Sequence, residues 1–155
     1  TGIVAELGSM RISDEIDALE VMGIDSMTFL CATKLLAAWL VLPFLYIAAI
    51  GAGFFASYLV VVQQIGDVSS GGFFLIFWLF QNPADLVFSL VKGMVMATAI
   101  VLVGCYYGYN AGGGPVGVGT ATAKSMVLNL VLVHLIGMLG TQLFWGANPR
   151  APIGG

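Results

Sequence analysis

Of the 155 residues, 59% are hydrophobic and only 8% are charged, and the formal net charge is −3. A soluble domain carries about a quarter charged residues, so this chain cannot clothe a water-facing surface and reads as an integral membrane protein. It has no basic cluster for nucleic acid, and a single histidine with two cysteines, Cys31 and Cys105, makes no metal-ligand constellation.

Thr1 to Gly8 is short and rich in small residues, and could be the end of a preceding membrane helix. Six of the eight acids lie in the first 25 residues: Glu6, Asp14, Glu15, Asp17, Glu20 and Asp25. Within this charged stretch, Ser13 is placed to N-cap a helix, with Asp14 and Glu15 at the positive end of its dipole. Gly23 suits the C′ position, because glycine accepts positive φ without strain. Ile12, Ile16, Leu19 and Met22 recur at helical spacing and make one apolar face; Asp14, Asp17 and Glu20 fall opposite. The pattern predicts an amphipathic helix over residues 13–23, lying outside a bilayer-sized apolar region. An interfacial connector is the simplest reading, yet its polar face is acidic where membrane-surface helices carry Lys and Arg. A basic protein partner suits it better.

Three apolar spans follow, predicted over residues 30–62, 84–109 and 126–146. Asp25 or Ser26 can cap the first, and Leu35 to Val62 carries no charge. That run exceeds the roughly 20 residues needed to cross a bilayer core of about 30 Å. Pro43 predicts a kink, and Gly51 and Gly53 among alanines offer a face for close helix packing. Gln63 to Ser70 reads as a loop. The aromatic Gly71–Phe80 stretch is too short to cross and reads as an interfacial or re-entrant helix.

Asn82-Pro83 restarts the chain into the second span. Asp85 near its start is tolerable, whereas Lys92 inside it either snorkels or pairs with an acid from another helix. Tyr107 to Val127 reads as a glycine-rich loop leading into a helix, without the Gly-Lys-Ser/Thr ending of a phosphate loop. Asn129, His134 and Gln142 interrupt the third span. A lone histidine there is satisfied by a neighbouring helix more often than it acts. Trp145 marks an interface, and Asn148 to Gly155 is a polar tail. With Arg11, Lys34 and Lys124 on one side and Arg150 on the other, the positive-inside rule puts the amphipathic helix in the cytoplasm and the C-terminus outside.

The stretch AELGSMRISDEIDALEVMGID, Ala5 to Asp25, resembles the segment between the second and third membrane helices of the MlaE/YrbE family. These are the permease subunits of Mce- and Mla-type ABC lipid transporters. The resemblance continues more weakly to the end, and is closest to the actinobacterial YrbE-type members. Departures are Thr33-Lys34, where a typical member has Pro-Arg, and Val116 and Thr120, near places where many members carry an acid and an arginine. Lys124 keeps a basic residue there, and a lysine in a pattern like LVKGMV is a family tendency.

The resemblance implies an all-α membrane protein, in which residues 1–155 are the C-terminal part of a five-span permease and about two helices precede Thr1. It makes residues 13–23 the coupling helix that docks on a cytoplasmic ABC ATPase dimer. The residues implied in that contact are Glu6, Arg11, Glu15, Ile16, Asp17, Ala18, Leu19, Met22 and Gly23, with Lys92 and Asp85 as an intramembrane ion pair or gate. The chain itself would be no enzyme and bind no cofactor; ATP and Mg would belong to the ATPase. Further implied partners are a second permease subunit, identical or not, Mce-domain proteins on the outer face, and a lipid, imported across the inner (plasma) membrane. Two other classes fit the composition. A membrane scaffold recruiting a cytoplasmic partner differs only in lacking the coupling segment's role, and an ion-coupled secondary transporter would need acids deep in its spans.

Overall fold

The structure, a computed structural model, describes residues 1–146. Arg150 and the polar tail lie outside the described residues. The fold is all-α: α1 (Gly2–Ile12), α2 (Glu15–Val21), α3 (Ser26–Tyr58), α4 (Ser70–Phe80), α5 (Pro83–Tyr109) and α6 (Gly114–Trp145). A π-helical segment, Leu59–Ile65, continues α3, so the expected loop shortens to residues 66–69. Among the described residues, three helices are long and apolar enough to cross a membrane: Ser26–Ile65, Pro83–Tyr109 and Gly114–Trp145. The described chain is a multi-pass membrane protein with α5 at its centre, packed on α1, α3 and α6.

Residues 13–23 do not form one helix. Ser13 ends α1, with its N–H bonded to the Ser9 carbonyl oxygen at 3.0 Å, rather than starting α2. Asp14 takes a left-handed conformation, φ 58°, and this breaks the helix into an elbow. The Ser13 hydroxyl is 3.1 Å from Glu15 Oε1 across the break. Helix α2 ends in a Schellman motif: Gly23 N–H bonds Glu20 O at 2.9 Å, and Ile24 N–H bonds Leu19 O at 3.3 Å. Gly23 holds the required positive φ, 79°. Asp25 then caps α3, its carboxylate accepting from Thr28 N–H and Thr28 Oγ1 at 3.3 and 2.7 Å. Helix α3 runs unbroken across Pro43.

The glycine-rich loop contracts to Asn110–Gly113, so α6 begins at Gly114 rather than at Met126. Asn110 ends α5 with its Nδ2 donating to the Tyr106 carbonyl at 2.8 Å, and Pro115 occupies the first turn of α6. Gly117 and Gly119 cost about 1 kcal/mol each in a helix interior. Packing offsets this: Val118 lies on buried Gly8 of α1, so α6 is anchored from its first turns.

Helix α4 is interfacial in length, about 16 Å at 1.5 Å per residue. It folds back onto the end of α3, where Phe77 meets Phe54 edge-on at 4.7 Å and Phe74 stacks on Tyr58 at 5.4 Å. Its N-cap is Ser69, whose Oγ accepts from Gly72 N–H.

Candidate functional site

One end of the bundle gathers α1, α2, the start of α3, the last turn of α5 and the first turns of α6. Helix α2 is rooted there by Ile16, which is 0% exposed and packs with Leu7, Leu30, Val101 and Cys105. Leu19 packs against the same cluster. Both stand among the residues that the resemblance implies in the ATPase contact, and both turn inward. The reason is length: two helical turns bury little area unless their apolar stripe closes onto the helix's own bundle.

What α2 presents outward is Ala18, Val21 and Met22, the latter two 89% and 66% exposed, beside the exposed acids Glu15 and Asp17. Val21 was missed in the sequence. Its spacing of three from Ala18, with Met22 next to it, was the available signal for a second stripe.

Charged groups around the elbow pair within the chain. Arg11 Nη1 lies 2.6 Å from Asp17 Oδ1, and Lys34 Nζ lies 2.5 Å from Glu6 Oε1. Such partly exposed pairs contribute about 0–1 kcal/mol each and leave the groups free to exchange partners. Glu20, itself exposed, is held by two hydroxyls at once. Its Oε1 accepts from the Tyr109 hydroxyl at 2.8 Å and from Ser26 Oγ at 2.9 Å. These two hydrogen bonds, the tyrosine's foremost, hold the Glu20 carboxyl below its ordinary value, helped by the Arg11 guanidinium. Arg11 also lies over the Tyr109 ring, 5.8 Å from its centre. Asp25 is likewise drawn down by its hydrogen bonds to Thr28.

The other candidates lie at the opposite end of α5. Asp85 and Lys92 do not pair directly; Trp145 stands between them. Its Nε1 donates to Asp85 Oδ1 at 2.8 Å, and its ring centre is 5.7 Å from Lys92 Nζ. The Lys92 ammonium donates to Thr141 Oγ1 at 2.9 Å, and among the described residues it meets no carboxylate. In α6, His134 bonds the Leu130 carbonyl of its own helix at 2.7 Å rather than a neighbouring helix. Asn129 Nδ2 reaches Ser125 Oγ at 3.4 Å, while Gln142 is exposed. Between α3 and α5 runs an apolar groove of about 600 Å³, lined by Trp39, Leu90, Met94, Val95 and Leu102 and crossed by a Trp39–Thr98 hydrogen bond of 3.0 Å.

Residues 1–143 match the family model described as Permease MlaE. The chain belongs to the MlaE permease family. Among relatives of this MlaE-family chain, a probable ABC transporter permease protein of Rickettsia bellii is 34% identical over 143 residues, covering 92% of this chain and 55% of its own length. A counterpart in Rickettsia felis is 32% identical with the same coverage. The chloroplastic protein TRIGALACTOSYLDIACYLGLYCEROL 1 of Arabidopsis thaliana is 29% identical, over 96% of this chain and 42% of its own length. The MlaE-family chain thus spans about half the length of the curated relatives it matches.

Proposed function

We propose that this chain is the C-terminal part of a lipid-transporting ABC permease, and that α2 is its coupling helix. The observation that carries the reading is the two-sided construction of α2: Ile16 and Leu19 root it in the bundle, while Ala18, Val21 and Met22 stand free between Glu15 and Asp17. A side built inward and an apolar side left outward suit a lever gripped by another protein. Membership of the MlaE permease family and the Arabidopsis relative, whose name contains that of a glycolipid, support a lipid as the cargo. Greasy walls such as the Trp39 groove suit an amphipathic cargo.

In this reading the elbow end is cytoplasmic, in keeping with Arg11, Lys34 and Lys124 lying towards it, and the C-terminus is outside the inner membrane. A cytoplasmic ATPase dimer, holding ATP and Mg, grips α2. A second permease subunit completes the cavity, and Mce-domain proteins on the outer face pass on lipid, which is imported. No catalysis is assigned to this chain. Co-purification of the ATPase with the full-length permease tests the reading. Val21→Asp with Met22→Asp places two acids where an apolar contact is formed, without disturbing the core. Loss of the ATPase from a permease that stays folded in the membrane is expected; retention with unchanged lipid-stimulated hydrolysis would make α2 a connector and the chain a scaffold.

A further inference from the structure

Helix α2 touches the spans by two kinds of contact. The first is the apolar cluster around Ile16, which is non-directional and tolerates sliding. The second is a triangle of oxygens. Glu20 Oε1 accepts from the Tyr109 and Ser26 hydroxyls at 2.8 and 2.9 Å, and the two hydroxyl oxygens lie 3.1 Å apart. Ser26 is only 1% exposed, so water does not readily replace its partners. A carboxylate oxygen taking both protons makes these the stronger, charge-assisted kind of bond, fixed in direction as well as distance.

The triangle joins three elements at their ends: α2 through Glu20, the first residue of α3 through Ser26, and the last residue of α5 through Tyr109. Arg11 on the Tyr109 ring, itself paired with Asp17 of α2, adds α1. Helix α5 is the one that packs on α1, α3 and α6 alike, so displacement of its end is felt by every span.

We infer that Tyr109 is the positioning residue that transmits movement of α2 to α5, with its hydroxyl on Glu20 as the joint. This rests on α2 being the coupling helix. Tyr109 touches neither cargo nor nucleotide in this role; it converts a displacement of α2 into a displacement of α5. The residue type suits the task. The ring is held by packing and by Arg11, and only the hydroxyl makes the link, so the link can be removed without removing the ring.

The test uses the full-length permease with its ATPase, reconstituted in liposomes, and reads lipid moved per ATP hydrolysed. Tyr109→Phe keeps the ring and the Arg11 contact. It is expected to retain the ATPase and its turnover while lipid moved per ATP falls about tenfold, the scale of one hydrogen bond to a charged acceptor. Glu20→Ala lowers the ratio similarly, the double variant lowers it no further, and Glu20→Gln, which keeps an acceptor oxygen, restores part of it. Val101→Ala loosens the same cluster without touching the hydroxyls. If Val101→Ala lowers the ratio as much as Tyr109→Phe, the effect is packing and the joint is overturned. A Tyr109→Phe transporter that moves as much lipid per ATP as wild type also overturns it. The Val21→Asp, Met22→Asp variant separates the two claims: if it keeps the ATPase, the coupling-helix reading falls and the joint with it; if it loses the ATPase, a null Tyr109→Phe result sinks the joint alone.

Discussion

Gly108 of α5 lies directly against the backbone of Val4 in α1. A methyl group added at Gly108 would sit 3.2 Å from Val4 Cα, 3.3 Å from the Val4 carbonyl oxygen and 2.8 Å from Leu7 Cβ. Backbone atoms cannot swing aside as a flexible side-chain end can, so α1 and α5 would have to separate. Overpacking of this kind costs about 1–3 kcal/mol. Gly108→Ala is therefore expected to lower the thermal unfolding midpoint of the purified permease, whereas Gly51→Ala, where a methyl meets nothing within 4 Å and a helix-interior glycine is removed, holds or raises it. Equal midpoints for the two variants would show that the α1–α5 contact is looser than described.

Ile16 is buried against the bundle while Met22, at the C-terminal end of α2, is exposed, so truncating the two should affect stability very differently. Ile16 is buried in the apolar cluster, so Ile16→Ala leaves a cavity and costs about 2–5 kcal/mol. Met22 is exposed, and Met22→Ala changes stability by no more than about 0.5 kcal/mol, the usual range for surface substitutions. Thermal unfolding and limited proteolysis at the elbow read both effects. A destabilised Met22→Ala variant would mean that this side chain too is packed within the bundle.

Composition alone forces the membrane class, and the three apolar runs are legible because hydrophobic length is a sum over many residues. What a single sequence hides is which apolar face goes where. Ile16, Leu19 and Met22 share helical spacing, yet the bundle takes the first two and leaves Met22 out with Val21. That division is decided by contacts with Leu30 and Val101, remote in sequence. The break at Asp14 is equally hidden, because it depends on a left-handed backbone in a non-glycine residue, which local propensity disfavours. The glycine-rich stretch reads as a loop for the opposite reason: its helix propensity is poor, and Val118 packing on Gly8 overrides it. The Glu20–Tyr109 bond spans 89 positions, a separation no local pattern reports.

The elbow should carry a pH signature through Glu20. Its carboxyl is held below the ordinary 4.5, foremost by the Tyr109 hydroxyl and then by Ser26, with Arg11 favouring and Asp25 opposing the charge. A depressed carboxylate stabilises the fold fully at pH above its unfolded value, and that stabilisation is lost as pH falls through the lower, folded value. The unfolding midpoint of wild type should thus decline as pH drops below about 4.5, and part of that decline should vanish in Glu20→Gln, which does not titrate. Identical profiles for the two proteins would show that Glu20 is not tied to Tyr109 and Ser26 in solution.

Lys92 makes the last prediction. At 1.5 Å per residue from Pro83 it lies about 14 Å along α5, well inside a span about 40 Å long. Its ammonium has a threonine hydroxyl and the face of Trp145 for company, and neither neutralises a charge. An unpaired lysine at the middle of a bilayer costs about 2.5–3.5 kcal/mol, less towards the interface. Its stem meanwhile packs tightly, since a methyl at Gly140 would lie 2.8 Å from Lys92 Cδ. Lys92→Met keeps an unbranched apolar stem and removes the charge, so the unfolding midpoint in zwitterionic nanodiscs should hold or rise. Thr141→Val removes the ammonium's hydroxyl acceptor while leaving the charge, and should lower it. If Lys92→Met instead falls sharply, the ammonium is compensated in the full-length protein by an acid beyond these helices, and the contact with Trp145 is then one side of a larger pair.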